Sequence, residues 1–329
     1  MAIPQALCES VPRESVCVIE PDKYQRARNP RRGTQESAAA AWPPLARYIE
    51  ADARLGAAAA ARGPLTLAAY EFLRFGVKQA WACLFGAILL GFLILTYWAY
   101  PVGAPLTRYD FLFLTAIAIQ VLMLWLRLET LDEAKVILIF HVIGTIMEVH
   151  KTAIGSWVYP EASLFRIGGV PLFTGFMYAA VGSYLARVWR LFDFRFTLHP
   201  PLAALAALSA ATYVNFLTNH RVLDIRVGLI LAAILLFART TVYFKVWRTH
   251  RRMPLLLGLT LVALFIWFAE NIGTATGTWL YPSQRLRWSL VPFSKLTSWF
   301  LLMIISYTLV AWVNGISIFH SARRSAGRP

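Results

Sequence analysis

The sequence predicts an all-α polytopic membrane protein, with eight transmembrane helices arranged as two parallel four-helix repeats. Three observations predict it. Of 329 residues, 58% are hydrophobic and only 15% are charged, against roughly 45–50% and about 25% in a soluble domain. Eight apolar runs follow residue 63, each near the ~20 residues that cross a bilayer. The string EVHKTAIGSWVYP at 148–160 returns as ENIGTATGTWLYP at 270–282.

Residues 1–63 mix Pro, Arg, Ala, Ser and Glu, with a basic run Arg26 to Arg32 and a low-complexity stretch Gly56 to Ala61. They hold no apolar core of the secretory kind and read as a disordered cytoplasmic tail. Tyr48 to Leu55 reads as linker, with a short amphipathic turn as the alternative. The expected spans are 80–100, 109–127, 135–156, 170–189, 201–218, 225–246, 254–276 and 292–315. Pro101, Gly168-Gly169, Pro200-Pro201 and Pro254 punctuate their edges. Strands are not expected, because the runs are long and do not alternate with period two. The organisation is therefore a tail (1–63), a first four-helix unit (64–199), a second (200–316) and a C-terminal tail (317–329).

The formal net charge is +15. After residue 63, fourteen Lys and Arg fall on one side of the spans and seven on the other; Arg239 and Lys295 lie within spans. That bias places both termini in the cytoplasm of a bacterial inner membrane. The basic residues sit in short loops, with no basic stripe, so no nucleic acid is expected as a partner. Cys8, Cys17 and Cys83 form no CxxC or Cys/His group, so no zinc site or disulfide framework is implied.

Both copies of the repeated string fit E-x(6)-G-[ST]-W-[VL]-Y-P with an offset of 122, and Val170-Pro171 matches Val291-Pro292 with an offset of 121. Four helices per copy keep both copies in one orientation, with a pseudo-two-fold axis along the membrane normal. Aromatic residues collect at membrane interfaces anyway. That accounts for Trp157, Tyr159, Trp279 and Tyr281, but not for Glu148 and Glu270.

Those two glutamates are the leading catalytic candidates. A carboxyl in hydrocarbon costs at least ~2.5 kcal/mol, so each should face the bundle interior, where desolvation favours the neutral acid. A helix–helix hydrogen bond is the plain alternative. His141, Thr145, Glu148 and Thr152 share one helical stripe, as do Trp267, Glu270 and Thr274, with Asn271 alongside. Glu270 and Glu148, with Asn271, His141 and Arg239, form the expected catalytic set, Arg239 being the expected counter-charge. Trp157, Tyr159, Trp279, Tyr281 and Lys295 form the expected substrate-binding set; Lys295 either snorkels or reaches Glu270. The spacing of His141, Glu148 and His150 is not that of a zinc helix, so no metal is expected, and no cofactor. The loop with Arg127, Asp132, Glu133 and Lys135 reads as solvated.

The runs RLETLDEAKVILIF, GSWVYPE, GGVPLFTGFMYAAVGSY, FARTTVYFKVWR and AENIGTATGTWLYP, with Thr297-Ser298-Trp299, resemble the bacterial integral-membrane family called domain of unknown function 817, over about residues 70–315. The resemblance implies a multi-span inner-membrane protein and no activity. Glu270, Gly273, Thr276-Gly277 and Tyr281 are also loosely similar to the membrane carotenoid hydratases of the bisanhydrobacterioruberin hydratase type. Trp279 and Pro282, and Lys151 in the first copy where Gly273 stands in the second, depart from that pattern.

Two classes of function follow. In the first, the protein is an enzyme acting on a lipid-soluble isoprenoid: a neutral buried Glu protonates an alkene, and aromatic faces stabilise the carbocation. In the second, paired intramembrane carboxyls serve a proton-coupled transporter. A membrane scaffold is a third reading. The expected partners are membrane lipid and, for the enzyme, the isoprenoid; the oligomeric state is left open.

Overall fold

Apolar runs in hydrocarbon must satisfy their own backbone, and the helix does so within one segment. The computed structural model describes residues 7–11, 14–18, 43–316 and 320–321. Chain order gives β1 (Leu7–Val11), β2 (Glu14–Val18), α1 (Pro43–Arg62), α2 (Pro64–Ala82), α3 (Leu84–Ala99), α4 (Arg108–Trp125) and α5 (Leu131–Ala153). Then come β3 (Arg166–Ile167), β4 (Val170–Pro171), α6 (Phe173–Phe192), β5 (Arg195–Thr197), α7 (Leu202–Thr218) and α8 (Arg226–Phe237). The chain finishes with β6 (Thr241–Lys245), β7 (His250–Pro254), α9 (Leu255–Ala275), α10 (Lys295–Asn314) and β8 (His320–Ser321).

This is a multi-pass membrane protein. Four helices, α4, α5, α9 and α10, are long and apolar enough to cross a bilayer, and the bent pair α2–α3 makes a fifth if counted as one span. Each of the eight expected runs holds a helix, but their bounds need correction. The first run is only part of a longer unit: α2 begins at Pro64, and the chain bends by 68° between α2 and α3. The sixth does not continue to 246. Its helix stops at Phe237, and Thr241–Lys245 pairs antiparallel with both β5 and β7. The stretch TVYFK is β-branched and aromatic, which suits a sheet better than a helix. The expectation of no strands therefore fails at this end of the bundle.

The disordered-tail reading also fails for residues 43–62, which form α1 packed along α2. The alanines taken as low complexity are the strongest helix formers. Further out, β1 pairs with β2, and β2 with β8; the rest of both tails, including the basic run Arg26 to Arg32, lies outside the described residues.

Local signals set the starts of the helices. Thr130 caps α5 in a capping box with Glu133, and Thr107 caps α4. Two apolar clusters fill the bundle. One, around Phe140, Phe192, Phe237, Leu259 and Met303, lies along its middle and the sheet end. The other, built of Tyr109, Trp157, Tyr159, Phe173, Trp267 and Tyr281, sits where the two repeated strings end.

Candidate functional site: a buried carboxyl pair

Each repeated string folds into the same device. At the end of α5, Ile154 donates to the carbonyl of His150, Gly155 to Thr152 and Ser156 to Lys151; at the end of α9, Thr276 donates to Ile272, Gly277 to Thr274 and Thr278 to Gly273. This is the Schellman ending, which needs a residue in the left-handed region. Gly155 (φ +74°) and Gly277 (φ +62°) supply it because they have no Cβ. The chain then doubles back, and the Trp-x-Tyr segment runs beside the last turns of its own helix. Val158 and Leu280, equivalent positions of the two strings, exchange both backbone hydrogen bonds at 3.0 Å.

The return brings aromatic donors onto the carboxyls. Glu148 and Glu270 are only 3% and 4% exposed, and every hydrogen bond they accept comes from a neutral group. Glu148 Oε2 accepts from Trp157 Nε1 (2.7 Å) and the Tyr159 hydroxyl (2.5 Å), and its Oε1 from the Tyr178 hydroxyl (2.6 Å). Glu270 Oε1 accepts from the Tyr281 hydroxyl and its Oε2 from Trp299 Nε1 at 2.5 Å. Burial, and the carboxyl beside each, push the Tyr159 and Tyr281 phenols well above their ordinary range, so both keep their protons. The two sites touch: the rings of Trp157 and Tyr281 lie 6.0 Å apart, and those of Tyr178 and Trp299 lie 6.4 Å apart.

The other expected site residues divide. Trp279 does not reach Glu270; the edge of its indole abuts Gly273, where a Cβ would come within 1.9 Å of the ring. Lys295 holds its ammonium 4.5 Å from the Tyr281 ring and 5.9 Å from that of Trp157, rather than in an ion pair with Glu270. Asn271 acts as a loop clamp: it accepts from the Val291 N–H and donates to the Trp267 carbonyl. The His141 ring packs at a tilt against Phe176, 4.4 Å between centroids, two turns below Glu148, and its buried Nδ1 has no hydrogen bond. Arg239 is not a buried counter-charge. It lies exposed on the turn after α8. The adjoining Thr240 accepts from Leu255 at the start of α9, 15 residues or about 22 Å from Glu270. Among the described residues no group of three His, Cys, Asp or Glu could hold a metal.

Sequence reasoning missed Tyr178 and Trp299. They stand at the same distance after Val170 and Val291, the first residues of the matched Val-Pro pairs, so the 121 offset would have found them. It also missed the paired charges at the opposite end. Glu129 accepts from Arg187 (2.9 Å), Ser183 (2.8 Å) and Gln120 (2.5 Å), and Arg187 also donates to the Trp81 carbonyl beside the α2–α3 break. Arg187 and Glu129 side chains are both fully buried. Nor is Glu133 solvated, as expected, but buried beside Arg190 (3.4 Å). Asp193, facing His250 (3.3 Å) and Arg195 (3.2 Å), is held down at about 2 by the His250 contact and, beyond it, by Arg195.

Fold and site together define a multi-pass helical membrane protein that carries two aromatic-gripped carboxyls on repeated hairpins. The profile of the family described as "Protein of unknown function (DUF817)" matches residues 71–307, and the chain belongs to that family. It is 43% identical over 242 residues, 73% of this chain and 90% of the relative, to the "Uncharacterized protein YoaT" of Bacillus subtilis (strain 168). These relatives lend no support to the similarity with carotenoid hydratases. Among solved structures, a mycobacterial Insig homolog, MvINS from Mycobacterium vanbaalenii, aligns at 15% identity and a TM-score of 0.41 over 57% of this chain and 97% of that one. A cross-linked trimer of an MvINS cysteine variant aligns with the same TM-score at 13% identity, over 56% of this chain and 95% of that one.

Proposed function

We propose that the protein is a proton-coupled carrier of two four-helix copies, in which Glu148 and Glu270 exchange protons. One observation carries this reading. Each carboxyl has one oxygen fixed by an indole N–H, which can only donate, and the other faced by a phenol, which can donate or accept. Trp157 and Trp299 fix the Oε2 atoms, while Tyr178 and Tyr281 face the Oε1 atoms. A proton arriving at Oε1 turns the phenol from donor to acceptor, so both charge states are satisfied without a cation. A carboxyl locked to arginine, as Glu129 is, has no such freedom.

The duplication is supported by the Val158–Leu280 pairing and by the equivalent places of Tyr178 and Trp299, each donating to the carboxyl of its own copy. The concentration of Lys and Arg at the end holding Arg127, Arg187 and Arg251 supports cytoplasmic termini and an inner-membrane location. The isoprenoid-enzyme reading uses the same acids and rings but needs an apolar cavity. The groove beside Tyr178, lined by Phe140, Ile143, Met147, Leu302, Ile305 and Leu309, holds about 20 Å³, space on the scale of a water. It therefore ranks second.

The test is acidification of the lumen of proteoliposomes holding a pH-sensitive dye, driven by an imposed inward pH gradient with an anionic solute outside. Wild-type protein should acidify the lumen, and Glu270→Gln, which keeps volume but loses the titratable proton, should slow the flux at least ten-fold. Equal rates would sink the carrier. Lipid extracts of cells expressing each form separate the second reading: an isoprenoid profile altered by Glu270→Gln would move the assignment to an enzyme.

A further inference from the structure

A cavity of about 480 Å³ opens between the end of α3, the 100–107 loop, the start of α4 and Thr276-Gly277 of the second hairpin. That volume is within the range of small-molecule sites. Its charged wall is Arg108 and Glu161, and its other wall includes Tyr97, Pro101, Ala104 and Leu106. The Arg108 side chain is only 8% exposed and is held by the Thr278 hydroxyl (3.1 Å) and two long contacts, 3.4 Å each, to the Thr276 carbonyl. Its Nε lies 3.2 Å from Glu161 yet makes no hydrogen bond, so the pair is poorly aligned. Glu161 is the loose partner, with its side chain 38% exposed. The rest of its loop is pinned, since Asp110 accepts from the backbone N–H groups of Leu164 and Phe165.

We propose that this cavity binds a small monocarboxylate with an apolar body, whose carboxylate replaces that of Glu161 on the Arg108 guanidinium. A guanidinium buried with misaligned partners gains from an acceptor free to orient, and the carboxylate of a ligand has the freedom that the tethered Glu161 lacks. The apolar wall then takes the body. Displacement leaves Glu161 without its cation, so it takes up a proton; one anion and one proton enter together and the net charge of the cavity is unchanged. Burial already pushes Glu161 up, against the opposing effect of Arg108. The other ionisable groups around it are the phenols of Tyr109, Tyr97 and Tyr100, with Asp110 and Arg166 behind; Thr276 and Thr278 bring none. As the solute of the carrier, this ligand rests on the proton-exchange reading above, but binding is measured without it.

The probe is benzoate, titrated by calorimetry into full-length protein in phosphatidylcholine nanodiscs at pH 5.5 and 7.5. Benzoate should bind at least five-fold more tightly at the lower pH, and isosteric neutral benzamide at least ten-fold more weakly than benzoate. Glu161→Gln, whose side chain is 38% exposed, should raise affinity at pH 7.5 at least five-fold and remove the pH dependence; Arg108→Gln should abolish binding. Binding unaffected by Glu161→Gln, or no binding, overturns the proposal, as does displacement of benzoate by phosphatidylglycerol or inorganic phosphate, which would assign the cavity to phosphate. If benzoate binds as expected but Glu270→Gln leaves proton flux intact, the carrier reading fails and the site stands. If flux depends on Glu270 and benzoate does not bind, the reverse holds.

Discussion

The two hairpins share a backbone but not a set of donors, and one residue accounts for the difference. Position 273 is Gly, so Trp279 lies on the helix surface there. The equivalent position in the first copy is Lys151, whose side chain excludes an indole from that place. Trp157 turns inward instead and donates to Glu148. Glu148 thus accepts from Trp157, Tyr159 and Tyr178, whereas among the described residues Glu270 accepts only from Tyr281 and Trp299. Lys151 itself is buried, bonded to Asn219 and His220 at 3.0 Å each and lying over the Phe216 ring. The first copy is a saturated site. The second is less held and has an ammonium nearby, which makes Glu270 the stronger candidate for the exchanging group.

The sharpest way to break this comparison is to exchange the acids for amides. Glu270→Gln should reduce proton flux at least ten-fold, and Glu148→Gln by clearly less; equal losses would remove the functional asymmetry. Next comes Gly273→Ala, which puts a methyl within 1.9 Å of the Trp279 ring. Overpacking of this kind costs about 1–3 kcal/mol, and denaturation in detergent should show it. By contrast Lys151→Ala creates no clash, and an equal loss there would mean that position 273 is not what separates the copies. Third, Trp157→Phe removes one of two donors from Glu148 Oε2, worth about 0.5–1.5 kcal/mol because Tyr159 still satisfies that oxygen. Trp279→Phe removes only packing and should cost less by the same measurement.

The smallest effect serves as a control at the other end of the bundle. Asp193 is held at about 2 against an ordinary value of 3.8. A depressed folded value adds stability above the unfolded value and loses it as pH falls through the folded one. Asp193→Asn should therefore flatten the stability curve between about pH 4 and 2 and leave its shape unchanged near neutrality, with a modest amplitude because the carboxyl is half-exposed and screened. A change of the same size in proton flux would mean that the charged end, rather than the hairpins, carries the protons.

The contrast between the two ends makes the same point about chemistry. Glu129 and Arg187 are a fully buried ion pair with hydroxyl, amide and carbonyl partners. Breaking such a pair leaves an uncompensated charge, so neither partner changes its charge state cheaply. Neutral donors around Glu148 and Glu270 allow two protonation states of one arrangement.

The sequence by itself determined the membrane class, because a chain so rich in apolar residues has no other solvent in which to bury them. The expected end of the seventh span at 276 fell within a residue of the observed one, whereas the expected span to 156 ran past the turn that Gly155 makes after α5. The two glutamates were legible because a carboxyl in an apolar run stands out, and doubly so at a fixed offset. Tertiary structure alone decided which groups meet those carboxyls. Trp157 and Trp279 are the same letter in the same motif, yet only one donates, because the neighbour across the helix groove differs. Arg239 read as buried only while its helix was taken to continue; strand pairing of Thr241–Lys245 with β5 and β7 ended that helix and put the arginine in a turn. The Arg108–Glu161 cavity joins residues 53 positions apart with Thr276-Gly277 of the second hairpin. Helical and turn periodicities are local, and contacts between distant segments depend on how rigid helices pack, which no single stretch of sequence encodes.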